Sequence, residues 1–189
     1  MHFDFAIRET SIETRRLILR PWSLADLEDF HEYASVPGVG EMAGWAHHES
    51  LDQTRKILEN FIAQDHIFAV FHKDDGKVIG SLGVHDVPHD LPKIYRTWPA
   101  KEIGYGLSKA YWGSGLMAEA VLAVVRFLFR ETPATLLVCV CSVANTQSRR
   151  VIEKSGFTYS RTFQRKRDLP GPLDSFEYML KKEEGAGCP

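Results

Sequence analysis

Apolar residues recur along this chain with two different periods, and the switches between them mark out its elements. Leu17 and Leu19 alternate with polar neighbours and predict a strand over 13–20. Leu24, Leu27 and Phe30 follow Ser23 at helical spacing, which predicts a helix over about 24–35 with Ser23 as its cap. Leu51, Thr54, Ile57, Leu58 and Phe61 define one face of a second helix over about 50–64. Strands at 67–73 and 77–85 flank the turn Asp74-Asp75-Gly76, and three prolines make 86–100 a loop. A strand at 101–108 comes next, then an amphipathic helix at 115–130 free of Gly and Pro. Thr135–Ser142 is a continuous apolar run of strand length, the pattern of a strand buried on both faces. Asn145 caps a helix at 146–155 that Gly156 stops, and strands at 157–166 and 174–182 close the chain.

This order predicts one α/β (α+β) domain over 13–182, with a mixed, largely antiparallel central sheet and flanking helices. Residues 1–12 are expected to be an extension and 183–189 a disordered tail. At 189 residues the chain suits a single domain with a substantial core. Its net charge of −2 and lack of a long basic run argue against nucleic acid as a partner. No apolar stretch approaches the ~18 residues of a membrane span, and the N-terminus does not read as a signal peptide, so a cytoplasmic protein is expected. Cys139 and Cys141 alternate along the buried strand and read as small hydrophobes on one face; Cys188 falls in the tail. His47-His48 and the pair His85 and His89 lack the spacing or the third carboxylate of a metal site, so no metal is expected.

Chemistry concentrates at Tyr111-Trp112-Gly113-Ser114-Gly115-Leu116-Met117-Ala118-Glu119-Ala120. Two glycines one residue apart close a tight loop directly before a long helix. Such a loop aims several backbone N–H groups at one point, and the helix adds its positive dipole end, which suits a phosphate or pyrophosphate. The loop has neither the Gly-Lys-Ser/Thr ending of a P-loop nor the third glycine of a dinucleotide fingerprint. Upstream, Glu102-Ile103-Gly104-Tyr105-Gly106-Leu107-Ser108 is a strand with two glycines, a sign of a bulge or of close approach by a ligand.

The set resembles the GNAT superfamily of acetyl-coenzyme A-dependent N-acetyltransferases, and within it the ribosomal-protein N-terminal (Rim-type) branch. Four pieces carry the likeness: Thr14-x-Arg16-Leu17-x-Leu19-Arg20-Pro21, Ile79-Gly80-Ser81-Leu82-Gly83, the core from Glu102 to Ala120, and Asn145-x-x-Ser148 through Lys154-x-Gly156-Phe157. They span roughly Thr14 to Tyr178. One departure is Ala110, where the wider superfamily often has Gln or Arg.

The resemblance implies acetyl-coenzyme A as co-substrate and direct transfer to a primary amine in a ternary complex, with the strands 101–108 and 135–142 splayed around the thioester. It assigns the pyrophosphate to Gly113, Ser114, Gly115, Leu116, Met117 and Ala118, with Trp112 bracing the loop. The pantetheine arm would pair along the strand ending at Leu107, near which a backbone N–H would meet the oxyanion, and Asn145 would bond the same arm. Arg149, Arg150 and Lys154 are candidates to reach the phosphates, with Lys154 the one assigned to the cofactor and the two arginines open to being simply solvated. Glu102 is the implied base and Ser148 the donor to the departing thiolate, with His85 an alternative base. Trp45, Phe68, Tyr95 and Trp98 are candidates for the acceptor groove or for core, and 36–50 and 86–100 for its walls. The first expectation for the acceptor is a protein N-terminal α-amine; a small amine (antibiotic, polyamine or amino acid) and a non-catalytic coenzyme A-binding module are the alternatives. Either a monomer or a homodimer fits.

Overall fold

A computed structural model describes residues 3–8, 10–88, 90–165 and 173–182. His89, the tail 183–189 and its Cys188 lie outside the described residues. Among the described residues, eight strands form one sheet in the order β1-β2-β3-β4-β5-β6-β8-β7. They are β1 (Ile12–Glu13), β2 (Leu17–Arg20), β3 (Ile67–His72), β4 (Lys77–His85), β5 (Ala100–Leu107), β6 (Leu136–Ser142), β7 (Thr158–Arg165) and β8 (Leu173–Lys181). Every pairing is antiparallel except β5 with β6, the product of the crossover through helix α4 (Leu116–Glu131).

Two layers cover the sheet. On one face, α4 and α5 (Thr146–Lys154) bury Leu17, Leu19, Leu82, Ile103, Leu137, Cys139 and Cys141 in the main core, so both strand cysteines do point to one side. Ile7, 1% exposed, joins this core, with Phe3 and Phe5 packed on it. The opposite face is covered in two separate patches. Helices α1 (Leu27–Ala34) and α3 (Leu51–Gln64) pack on β3 and the start of β4. The proline-bearing segment 86–99 supplies Val87, Leu91, Tyr95 and Trp98 over Leu136, Val138 and Met179. Between these patches Ser81, Gly83, Gly104 and Gly106, paired as Ser81↔Gly106 and Gly83↔Gly104, leave a floor of small residues.

The expected strand 13–20 is interrupted, because Thr14–Arg16 turn inward to a carboxylate. Glu119, in the first turn of α4, accepts from the Thr14 hydroxyl (2.7 Å), the Arg16 N–H (2.9 Å) and the Arg16 Nε (2.8 Å). Likewise the expected helix 24–35 begins as a 3-10 turn (Leu24–Asp26) before α1. There Ser23 caps as expected, and Asp26 bonds the Ser23 N–H (2.9 Å) and takes a bidentate pair from Arg20. A short helix α2 (Val39–Ala43), bounded by left-handed Gly38 and Gly44, appears where no element was expected. Five residues without a repeating apolar period give too little pattern to read.

Burial works against the charge on Glu119, but its Thr14 and Arg16 bonds outweigh it and hold its pKa below the ordinary carboxylate value. A lowered acid stabilises the fold above its unfolded pKa and loses that contribution as pH falls through the folded value. Glu119→Gln should therefore lower the melting temperature at pH 7 by several degrees, for a loss of about 1–3 kcal/mol. The gap between variant and parent should close as pH drops below about 4. Melting curves from pH 3 to pH 8 check both the size and the sign.

Candidate functional site

β5 and β6 pair only over Ala100↔Leu136, Lys101↔Leu137 and Glu102↔Val138. Beyond that point each strand follows its other neighbour. β5 continues with β4 as far as Gly80↔Leu107, and β6 with β8 as far as Ser142↔Ser175. The sheet therefore forks at Glu102. The Ser108 N–H donates to the Ile79 carbonyl (2.8 Å), which turns Ser108 toward β4. Main-chain groups of alternate residues face alternate sides, so those of Leu107 and Tyr105 point into the fork. The Leu107 carbonyl is met there by the Trp112 indole N–H at 2.8 Å, which leaves the Leu107 N–H directed at the gap. Trp112 thus acts on the strand as well as bracing the loop.

The loop after β5 delivers the start of α4 to the same place. Gly113 and Gly115 have φ of +78° and +79°, a region that side-chain-bearing residues rarely enter. Gly115 is the N-cap and makes no side-chain cap bond, so the first-turn N–H groups at Leu116, Met117 and Ala118 keep their donors directed outward. Arg16 holds the loop in place, with Nη1 on the Ser114 carbonyl (3.1 Å) and Nε on Glu119. The Ser114 hydroxyl in turn donates to the Tyr111 carbonyl (2.5 Å). A cleft of about 1190 Å³ runs from Gly115 and Ala118 along α4 past Arg126, with Lys154 on its wall. Arg149 instead pairs with Glu153 (2.8 Å).

Asn145, 6% exposed, caps α5 by accepting from the Ser148 N–H (2.9 Å). Its amide also donates to the Met42 carbonyl (2.9 Å), which ties α2 to α5 across the fork. Ser148 is half-buried rather than a bare surface serine. The Tyr105 phenol reaches over the gap to its carbonyl (3.1 Å) and its hydroxyl (3.0 Å). Burial, chiefly, pushes the Tyr105 pKa well above its usual value and keeps the phenol protonated.

Glu102 sits where the two strands part, on the face opposite Tyr105, 3% exposed, with Oε1 paired to Arg165 Nη2 at 2.6 Å. His85 is its cross-strand partner. Burial, followed by His66 and Arg165, lowers the His85 pKa to about 4, so the ring is neutral at physiological pH and holds a proton poorly. Of the aromatic candidates, Phe68 is core at 0% exposure, and Tyr95 and Trp98 pack edge-to-face over the β6 patch. Trp45 lies beside Gly106 and His48 at a cavity over β4.

Three contributors escaped the sequence reading. Tyr105 sits in a strand, where it looks like an alternating core residue. Arg165 is remote in sequence from Glu102. Arg16 reads as part of a strand motif, and only its pairing with Glu119 joins that motif to the loop.

The residues 16–158 match the family model described as Acetyltransferase (GNAT) domain. The uncharacterized N-acetyltransferase p20 of Bacillus licheniformis is 24% identical over 183 residues, covering 94% of this chain and 99% of that protein. A GNAT-family acetyltransferase structure from Bacillus anthracis superposes with a TM-score of 0.76 at 22% identity, covering 91% of this chain and 98% of its own. For a putative ribosomal-protein-serine acetyltransferase from Vibrio cholerae the TM-score is 0.74 at 20% identity, with coverage of 96% and 100%.

Gly113→Val and Gly115→Val should each abolish binding of acetyl-coenzyme A, since a β-branched residue resists positive φ and crowds the space above the loop. Calorimetric titration checks this; micromolar binding by both variants would remove the loop from the site.

Proposed function

The chain belongs to the GNAT acetyltransferase family, and on that premise we propose that it transfers the acetyl group of acetyl-coenzyme A to a primary amine, a peptide α-amine in the first instance. Acetyl-coenzyme A supplies an activated acetyl thioester. The observation that carries the proposal is the fork. It offers an unpaired strand edge in mid-sheet, a helix start without a capping side chain on one face, and a buried carboxylate on the other.

Each group then has one task. The N–H groups of the 113–118 loop hold the pyrophosphate, and Lys154 extends the cationic wall beyond it. The edge of β5 at Tyr105 and Leu107 aligns the pantetheine amides, and the Leu107 N–H is a donor for charge developing on the acetyl oxygen. Glu102, on the acceptor face, takes a proton from the incoming amine, directly or through a water. Ser148, on the other face, donates to the sulfur, and Tyr105 fixes its hydroxyl. The amine's proton is thus removed on one side of the sheet, while the leaving thiolate is stabilised by a hydrogen bond on the other.

An α-amine suits this machinery. Its pKa is near 8, so roughly a tenth is neutral at pH 7, whereas a lysine near 10.4 costs about 3 kcal/mol more to deprotonate. Among the similar structures, the Vibrio cholerae protein described as a putative ribosomal-protein-serine acetyltransferase supports a peptide acceptor. Free thiol released from acetyl-coenzyme A with a panel of N-terminal peptides and small amines tests the proposal. Release dependent on α-amine peptides supports it; release only with polyamines or aminoglycosides moves the acceptor to small molecules.

Two substitutions separate the proton steps. Glu102→Gln should cut turnover with little change in coenzyme A affinity, and log rate should then rise with unit slope in pH below about pH 8, as the ammonium of the acceptor loses its proton. A pH–rate profile identical to the parent's would make Glu102 structural. Ser148→Ala should leave the melting temperature nearly unchanged, because Asn145 still caps α5, yet lower single-turnover rates by about ten- to a hundred-fold. Parent-like rates would reduce Ser148 to a helix-surface residue.

A further inference from the structure

We propose that the acceptor is recognised through an uncharged, apolar side chain on the amine-bearing residue, which enters a cavity walled by α1, α3 and the segment after α2. This inference rests on the transferase reading and adds to it a class of substrate. The cavity measures about 320 Å³ and is lined by Phe30, Trp45, His48, Ile57, Phe61 and Ser81, with Gln53 at its side. Ligand cavities commonly span 300–1,000 Å³, so this one suits a single side chain and not a whole acceptor.

Its position connects it to the fork. Ser81, on the floor, is the register partner of Gly106, on the free length of β5 beyond Glu102. A Cβ on Gly106 would lie 3.8 Å from the Trp45 ring, so that ring stands over the strand bordering the gap. Trp45 is itself fixed, because a Cβ on Gly40 would fall 2.4 Å from its ring and 2.7 Å from its carbonyl oxygen. An amine approaching the gap from this face, between Glu102 and the Leu107 N–H, therefore has this cavity beside it along β5.

Chemistry selects the occupant. The walls are aromatic: the Phe30 ring centroid lies 5.3 Å from Phe61 and 5.1 Å from His48, and Trp45 lies 5.2 Å from His48. Among the described residues, no carboxylate, Lys or Arg lines the space. Its polar groups are the Ser81 hydroxyl, the Gln53 amide and the His48 ring, whose Nδ1 is engaged by Thr54 at 3.0 Å. Burial, chiefly, lowers the His48 pKa to about 4, so this wall is uncharged at pH 7. A carboxylate or ammonium entering here would lose its water and find no counter-charge. A phenylalanine-, leucine- or methionine-sized group would lose only apolar hydration.

The test uses the full chain and peptides identical except for Ala, Asp, Lys or Phe as the first residue. kcat/KM should favour Phe over Asp and Lys by about tenfold or more. Ile57→Trp, which fills the cavity from α3, should bring kcat/KM for the Phe peptide down to that for the Ala peptide, with thermal melting confirming the fold. Gln53→Glu keeps an acceptor for the Glu49 N–H, which Gln53 now binds at 2.7 Å, and should raise Lys relative to Phe. Equal kcat/KM for Phe and Asp, or a Phe advantage that survives in folded Ile57→Trp, would overturn the proposal. Calorimetry with the N-acetylated peptides gives a readout independent of turnover. Tighter binding of N-acetyl-Phe than N-acetyl-Asp peptide upholds the cavity even if no acceptor reacts, a result that would count against the transferase reading instead. Equal binding of the two would overturn the cavity.

Discussion

The structure depends on one constraint: two adjacent strands pair for three residues and then part. β5 is held on its other side by six registered pairs to β4, and β6 by seven to β8, so neither can bend back to close the gap. A strand edge exposed in mid-sheet carries donors and acceptors that are costly if buried without partners, about 1–3 kcal/mol each. Water satisfies them while the fork is open; a ligand that excludes water must replace those bonds with its own amides. In the proposed function the fork suits an extended, amide-bearing arm.

Several bonds keep that geometry. The Trp112 indole takes the Leu107 carbonyl and turns the end of β5 toward the loop. Thr14 and Arg16 draw the start of α4 onto β1 and β2 through Glu119, so the glycine loop is set by residues about a hundred positions away. Asn145 bonds Met42 as well as capping α5, which links the wall of the acceptor side to the helix carrying Ser148.

Much of this was legible in the sequence because its causes are local. Alternation at Leu17 and Leu19, the uninterrupted run from Leu136 to Cys141, and Ser23, Asn145 and Gly156 at helix ends report local geometry directly. The loop at Gly113 and Gly115 declared itself because two positive-φ residues demand glycine. The partners brought together by topology stayed hidden. Nothing in Tyr105 says that its phenol crosses to Ser148, since that depends on how far β5 and β6 diverge. Nothing in Arg165 says that β7 brings it to Glu102. Helix α2 was missed because five residues flanked by glycines carry no period, although its Gly40 and the Trp45 that follows shape the cavity wall.

Amide hydrogen exchange on the full chain, with and without acetyl-coenzyme A, addresses the fork most directly. The account predicts new protection at the N–H groups of Tyr105 and Leu107 and of the 113–118 loop. Amides already bonded to β4, such as that of Ser108 just past the end of β5, should change little. Saturating acetyl-coenzyme A that leaves Tyr105 and Leu107 exchanging at their free rates would contradict it, because the open edge would then have no role in binding.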